Sequence, residues 1–281
     1  MLDLPKVLPK PSGREGGPSP LPLDLLPDVV HRQPVLLCLD YDGTISEIAA
    51  EPQLARPVSG AADALRTLSA HRSRVKIALV SGRTLADLRS MLSLPPGIAL
   101  AGVHGLELLD WTGQLESLGS VEGCRKDLAS ARAWLDRMVS AGSGFIVEDK
   151  EVALALHYRR APRRTARCMR DSFARFITEQ TSSLMARRGK MVVEALPRLA
   201  TKATAVRTLW QRAGHEFKPI YFGDDLTDED AFSELAGHGI SILVGKARPS
   251  GARYRVDAPA DVVHQLEALA AQLGIRANET Q

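Results

Sequence analysis

Cysteine is scarce in this chain. Only Cys38, Cys124 and Cys168 occur among its 281 residues, and no two stand at metal-ligand spacing. That excludes a disulfide framework or a cysteine-based zinc centre as the organising feature. All three read as reduced thiols of a cytoplasmic protein, with Cys38 a small hydrophobe inside an apolar run. Long apolar stretches are lacking too, so no segment reads as a membrane span. The N-terminus has no charged-then-apolar signal pattern, and its prolines interrupt any such run. A large excess of one sign of charge is lacking: 36 Lys and Arg against 33 Asp and Glu leave a formal net charge of +3. That fits a small anionic partner and argues against nucleic acid. No internal repeat is found.

What remains is an ordinary globular composition, 44% apolar and 25% charged, with enough chain for one large or two modest domains. Residues 1–33 carry seven prolines and several glycines. They read as a flexible leader, ending in a short helix near Leu25. Val35–Leu39, Val75–Val80, Ile98–Ala101, Ile220–Phe222 and Ile240–Val244 are short continuous apolar runs, as expected of strands buried on both faces. Helical patterns at Ala61–Ala70 and Thr84–Leu92 alternate with them, and Pro259–Leu273 forms a last amphipathic helix. The alternation predicts a doubly wound parallel α/β sheet.

The middle differs. Glu122–Val139 and Arg163–Glu179 read as amphipathic helices, Gly144–Tyr158 as alternating strand with a bend near Asp149, and Lys190–Leu196 as another strand. This predicts an α+β cap at 120–199, inserted in a discontinuous core at 34–119 and 200–275.

Ligands in open α/β sheets bind at the carboxyl ends of the strands. Polar clusters sit there: Asp40-Tyr41-Asp42-Gly43-Thr44, Ser81-Gly82-Arg83-Thr84, and Gly223-Asp224-Asp225 running on to Asp230. Thr201-Lys202 precedes the helix leading into the Ile220 strand. Crowded carboxylates repel, and Mg2+, which favours hard oxygen ligands and few protein carboxylates, would relieve them. Asp40 could then attack phosphorus. Asp42 could protonate the leaving alcohol and later activate water. Ser81 and Lys202 could bind the phosphoryl oxygens.

Plainer readings exist for each piece. A calcium loop is disfavoured because there the Gly follows three acidic positions and a helix, not an apolar strand, precedes the motif. Thr227 to Asp230 also reads as a helix start, which leaves Asp224 and Asp225 unexplained. Ser81-Gly82-Arg83 alone could be a turn, and Lys202 alone a surface lysine. The ordered appearance of four clusters at element ends is the signal.

At these residues the chain resembles the haloacid dehalogenase-like phosphatases. More closely it resembles trehalose-6-phosphate phosphatases, through those motifs and through Gly102-Val103-His104-Gly105-Leu106-Glu107, Leu154–Arg159 and Gly223–Phe232. The likeness runs from about residue 34 to the last helix. The chain departs at Lys202-Ala203, where the pattern has Lys-Gly, and at Leu106, where it has a small residue. The resemblance implies hydrolysis of a small-molecule sugar phosphate, trehalose 6-phosphate, through an aspartyl-phosphate. It implies Mg2+ held by Asp40, the Asp42 carbonyl and Asp224, with Asp225 and Asp228 in support, and a functional link to a trehalose-phosphate synthase. Alternatives are another sugar phosphatase or phosphosugar mutase, or a non-catalytic sugar-phosphate-binding module.

Alternation puts Ala153, Ala155, His157 and Arg159 on one face, small and polar, and Val152, Leu154, Leu156 and Tyr158 on the other, apolar face. The resemblance implies that Glu148, Lys150, Arg159 and Glu194 bind the sugar. Thr44, Arg83, His104 and Glu107, in or beside the motifs, are counted as substrate contacts. His104, between glycines, could instead hold the loop by hydrogen bonds.

Overall fold

A computed structural model describes residues 17–49, 54–91, 94–117, 121–189, 191–198 and 200–274. The larger sheet uses β1 (Ser19–Pro20), β2 (Val35–Leu39), β3 (Val75–Val80), β4 (Ile98–Gly102), β5 (Glu107–Leu109) and β6 (Leu115–Ser117) from the first part of the chain. A smaller sheet follows, of β7 (Ile146–Asp149), β8 (Leu154–His157), β9 (Leu184–Gly189) and β10 (Val192–Pro197). The larger sheet then resumes with β11 (Lys218–Gly223), β12 (Ile240–Val244) and β13 (Tyr254–Val256). Helices are α1 (Leu25–Arg32), α2 (Ala61–Ser69), α3 (Leu85–Met91), α4 (Arg125–Met138), α5 (Arg163–Gln180), α6 (Lys202–Ala213), α7 (Glu229–Glu234) and α8 (Pro259–Gln272).

The large sheet runs β1-β13-β12-β11-β2-β3-β4-β5-β6. It is parallel from β1 to β4, and β5 and β6 add an antiparallel edge. From β2 the chain winds outward through β3 and β4, then returns to β11 on the other side of β2 and winds the opposite way. The order therefore reverses between β2 and β11, where such sheets open a crevice at their carboxyl ends. All five residues of β2 are buried, because helices cover both faces. Leu37, Leu39, Ile77, Ile220 and Phe222 pack with α1, α2 and α8 on one side. Leu36, Cys38, Ala78 and Tyr221 pack with α6 and α7 on the other.

The smaller sheet is antiparallel throughout, in the order β7-β8-β10-β9. Leu154, Leu156 and Tyr158 join Leu128, Leu135, Phe173 and Ile177 in a separate apolar cluster, so α4 and α5 cover one face. The register sets Glu148 opposite Ala155 and Ala155 opposite Glu194. The other face thus carries the charged residues, by the period-two alternation of a strand.

Three differences from the sequence reading stand out. Residues 17–33 are not a free leader. Ser19–Pro20 pairs with β13, and Leu26, Val29 and Val30 of α1 are buried with Val262, Leu266 and Leu269 of α8. Proline density masked a three-residue apolar stripe. Residues 1–16 lie outside the described residues. β9 was not foreseen, because Arg187 and Arg188 break its apolar pattern. β5 and β6 were too short to read. The expected cap limits, 120 and 199, and Lys190 at the start of the expected strand also fall outside the described residues.

Candidate active site

Asp40 follows β2 and Asp224 follows β11, adjacent parallel strands, with Asp40 N–H donating to Phe222 O at 2.9 Å. Both side chains line a cleft of about 470 Å³ whose wall also includes Asp42, Ser81, Arg83, His104, Glu148, Lys150, Arg159, Glu194, Lys202 and Asp225. That volume falls in the roughly 300–1,000 Å³ range of small-molecule sites.

Lys202 reaches the cleft because Thr201 caps α6, its Oγ1 accepting Thr204 N–H at 3.0 Å. A lysine in the first turn opposes the helix dipole, and two carboxylates offset that. The Lys202 ammonium lies 3.0 Å from Asp40 Oδ1 and 2.7 Å from Asp228 Oδ1, with Lys202 2% exposed. Burial pulls Lys202 down, yet Asp228 and Asp40 outweigh it and hold the ammonium charged. Asp40 nevertheless goes up, first from burial, then from Asp228 and Asp224, with Lys202 pulling the other way. The directions agree once the charges are added: one ammonium serves three crowded carboxylates. Asp224 is pushed up to about 7 by burial and by Asp228, Asp225 and Asp42, against the opposing pull of Lys202.

Asp40, Asp224 and Asp228 each bring a carboxylate oxygen within 4.8 Å of the others. Gly43 makes room: φ is +78°, and a Cβ there would lie 2.1 Å from Asp224 Oδ2. Hard oxygen donors, excess negative charge and a side-chain-free approach together fit a small divalent cation.

The remaining expected residues are placed as follows. Asp42 is gripped by Arg83, whose Nε and Nη2 donate to its two oxygens at 2.6 and 2.5 Å. Arg83 thus faces Asp42 and the Tyr41 ring. Ser81 is buried and lines the cleft, its Oγ accepting Arg83 N–H at 3.2 Å. Asp225 caps the short turn Leu226–Asp228. Glu148 bonds His157 at 2.7 Å, and Arg159 is exposed at the cleft wall. Two expected contacts sit elsewhere. Thr44 is fully buried and does not line the cleft. Glu107 does not line it either: its Oε2 accepts Leu85 N–H at 2.8 Å, tying down the first turn of α3. A carboxylate beside a His-Gly pair gave no sequence hint of that structural task.

Glu194 joins the two sheets. Its Oε1 accepts from Lys150 Nζ at 2.8 Å and its Oε2 meets His104 Nε2 at 3.1 Å. Burial pushes Glu194 up, but Lys150 and His104 outweigh it and hold it far below the usual carboxylate range. Burial lowers His104 more than Glu194 raises it, so His104 is a neutral donor to an ionised Glu194. Lys150 also donates to Gly82 O at 3.0 Å. His104 has φ +56° and Val103 φ +45°. Such backbone costs about 1–3 kcal/mol per residue for non-glycine side chains and concentrates at functional sites.

Sequence reasoning missed three residues. His157 was placed on the ligand-facing side but not named as a contact; it lines the cleft. Arg187 stands opposite Glu194 on β9 and donates to Asp230 Oδ2 at 2.8 Å; it lies on a strand that was not foreseen. Tyr221 hides its hydroxyl in an apolar strand, where only the out-of-place polar tip could have drawn notice.

A family model described as trehalose-phosphatase matches residues 38–260. Trehalose-phosphate phosphatase of Mycobacterium tuberculosis (strain H37Rv) is 35% identical over 260 residues, 89% of this chain and 65% of that one. The Mycobacterium avium protein of the same name is 35% identical over 246 residues, 83% and 61%. The chain therefore spans just under two thirds of the length of these relatives. Among solved structures, the C-terminal domain of C. albicans trehalose-6-phosphate phosphatase superimposes with TM-score 0.78 at 23% identity, covering 92% of this chain and 99% of that one. Aspergillus fumigatus trehalose-6-phosphate phosphatase gives TM-score 0.68 at 26% identity, covering 91% and 99%.

Proposed function

Because the chain belongs to the trehalose-phosphatase family, we propose that it hydrolyses trehalose 6-phosphate to trehalose and phosphate. The observation that carries this is the meeting of Asp40, Asp224 and Lys202 at the carboxyl ends of β2 and β11.

In this reading Asp40 is the nucleophile. One of its oxygens forms a bond to phosphorus as the bond from phosphorus to the sugar oxygen breaks, giving an aspartyl-phosphate. Asp42 gives its proton to the departing sugar oxygen, then takes one from a water that attacks phosphorus and frees Asp40. A phosphate oxygen entering the cleft competes for Arg83, which releases Asp42 for that exchange. Ser81 and Lys202 hold the phosphoryl oxygens as charge develops on them. Asp40, Asp224 and the Asp42 main-chain carbonyl would hold Mg2+. When bound, it supplies charge neutralisation that lets a carboxylate approach a phosphate dianion.

Glu148, Lys150, His157, Arg159 and Glu194 face the cleft from residues 120–199, which serve here as the cap. They hydrogen-bond sugar hydroxyls, and an analogue lacking one leaves buried polar groups unpaired. The free thiols Cys38, Cys124 and Cys168 suit a cytoplasmic setting. A trehalose-phosphate synthase would supply the substrate.

The test is phosphate release from trehalose 6-phosphate, sucrose 6-phosphate, glucose 6-phosphate and mannose 6-phosphate with magnesium. We expect the first to have the highest kcat/KM. A higher value for any other substrate overturns the sugar assignment, and release from none overturns the phosphatase reading.

A further inference from the structure

Asp228 is fully buried, and the polar atoms around it are unusually complete. Its Oδ1 accepts from Lys202 Nζ at 2.7 Å and from the Tyr221 hydroxyl at 2.7 Å. Its Oδ2 accepts Asp225 N–H at 2.9 Å. Gly223 lets the carboxylate fold back against the strand, for a Cβ there would sit 2.2 Å from Asp228 Cγ. Three donors from three elements therefore fix one carboxylate, which in turn fixes Lys202 beside Asp40.

Tyr221 is the donor that no motif supplies. It is fully buried on β11, its ring edge-on to Phe232 at 5.9 Å between centroids. A phenylalanine would fill the same space. What the hydroxyl adds over a phenylalanine is the hydrogen bond it donates to Asp228, since a buried polar group without a partner is costly.

We propose that the Tyr221 hydroxyl is a positioning group: by occupying Asp228 Oδ1 together with Lys202, it keeps Asp228 turned from the cation and keeps the Lys202 ammonium against Asp40. Asp228 lies close enough to Asp40 and Asp224 to serve as a third direct cation ligand. The hydroxyl withholds it. Asp228 instead steers Lys202, and the cation is left to Asp40, Asp224 and the Asp42 main-chain carbonyl. This rests on the phosphoryl-transfer reading for its rate consequence, but its cation consequence stands apart from any sugar.

Tyr221→Phe tests it. With the hydroxyl gone, only Lys202 and the Asp225 N–H still hold the carboxylate, and this weaker hold lets Asp228 Oδ1 turn to the cation and loosens the seat of Lys202. We expect kcat to fall about 10-fold to 100-fold, the usual range for groups supporting a metal site. KM should stay within about 3-fold, because no substrate contact is removed. Magnesium affinity of the substrate-free protein, measured by titration calorimetry, should instead tighten by about 3-fold or more, as direct carboxylate ligation adds to the site. Loosened packing would weaken both. An unchanged kcat, or a magnesium affinity that weakens or stays put, overturns the proposal. The calorimetric arm reads out even if none of the sugar phosphates is a substrate, so a failed substrate assignment is distinguishable from a failed role for Tyr221. Asp228→Asn and the double variant complete a cycle on magnesium affinity, where coupling between the two changes is expected. Additive effects overturn the claim that Tyr221 acts through Asp228.

Discussion

Asp224→Asn should make the cation-free protein more stable at neutral pH, although it disables the site. Asp224 sits among like charges, and its carboxyl is raised from 3.8 to about 7, first by burial and then by Asp228. The folded state therefore keeps this proton after the unfolded chain has lost it. Fewer protons bound in the unfolded state mean that stability falls as pH rises, here from about 4 to about 7. At about 1.4 kcal/mol per pH unit, the ceiling is about 4 kcal/mol. Partial solvent contact lowers it, and about 2–4 kcal/mol is a fair expectation. Asparagine keeps the shape and cannot ionise. The assay is the urea midpoint of both proteins in EDTA at several pH values. The difference should be small near pH 4 and grow in favour of the variant until about pH 7.5. The difference curve cancels the opposing pH slopes of Glu194 and His104. Magnesium at about 1,000 times the parent's Kd should cancel or reverse that advantage, since it adds about 4.1 kcal/mol to the protein that binds it. A variant less stable than the parent in EDTA at neutral pH would refute the charge-crowding argument.

Other outcomes follow from the same geometry. Asp40→Asn should cut phosphate release by about 10⁴-fold or more while leaving the thermal midpoint within a few degrees; more than about 1% residual turnover contradicts the covalent route. EDTA should abolish turnover, and added magnesium should restore it; full activity in the chelator removes the cation from the mechanism. Lys150→Met leaves Glu194 buried with His104 alone. Its KM for trehalose 6-phosphate should rise about 10-fold or more, with weaker discrimination against glucose 6-phosphate. A parental KM would mean that Lys150 only braces the Gly82 loop.

The parallel core was legible because strands buried on both faces leave unbroken apolar runs. Val35–Leu39, Val75–Val80 and Ile240–Val244 have the predicted limits. The edges were not. The helix near Leu25 was legible, as Leu25–Arg32, but Ser19–Pro20 and the docking of that helix hid behind proline content, and Leu184–Gly189 behind its arginines. Acids at strand ends were legible because the connection pattern says which ends meet. What each side chain bonds to was not. Nothing in the spacing told that Arg83 would fork onto Asp42, that Glu107 would serve Leu85 N–H, or that Tyr221 and Arg187 would matter. The pairings of Arg83, Glu107 and Arg187 depend on packing between elements 22 to 43 residues apart, and that of Tyr221 on how the chain folds back after its strand.

The side-by-side docking of α1 and α8, with His31 and Gln272 3.4 Å apart, has a practical consequence. An engineered bridge from Leu273 to Gly17, long enough to run back along α1, would close the described residues into a ring and keep Ser19–Pro20 on β13. New termini could then be opened at the exposed Thr112-Gly113 turn of the β5–β6 hairpin. Permutants succeed where the cut backbone is exposed and the joined ends are near. The carboxylates of the cleft would keep their neighbours, and a reporter fused at the new ends would hang from the far edge of the sheet.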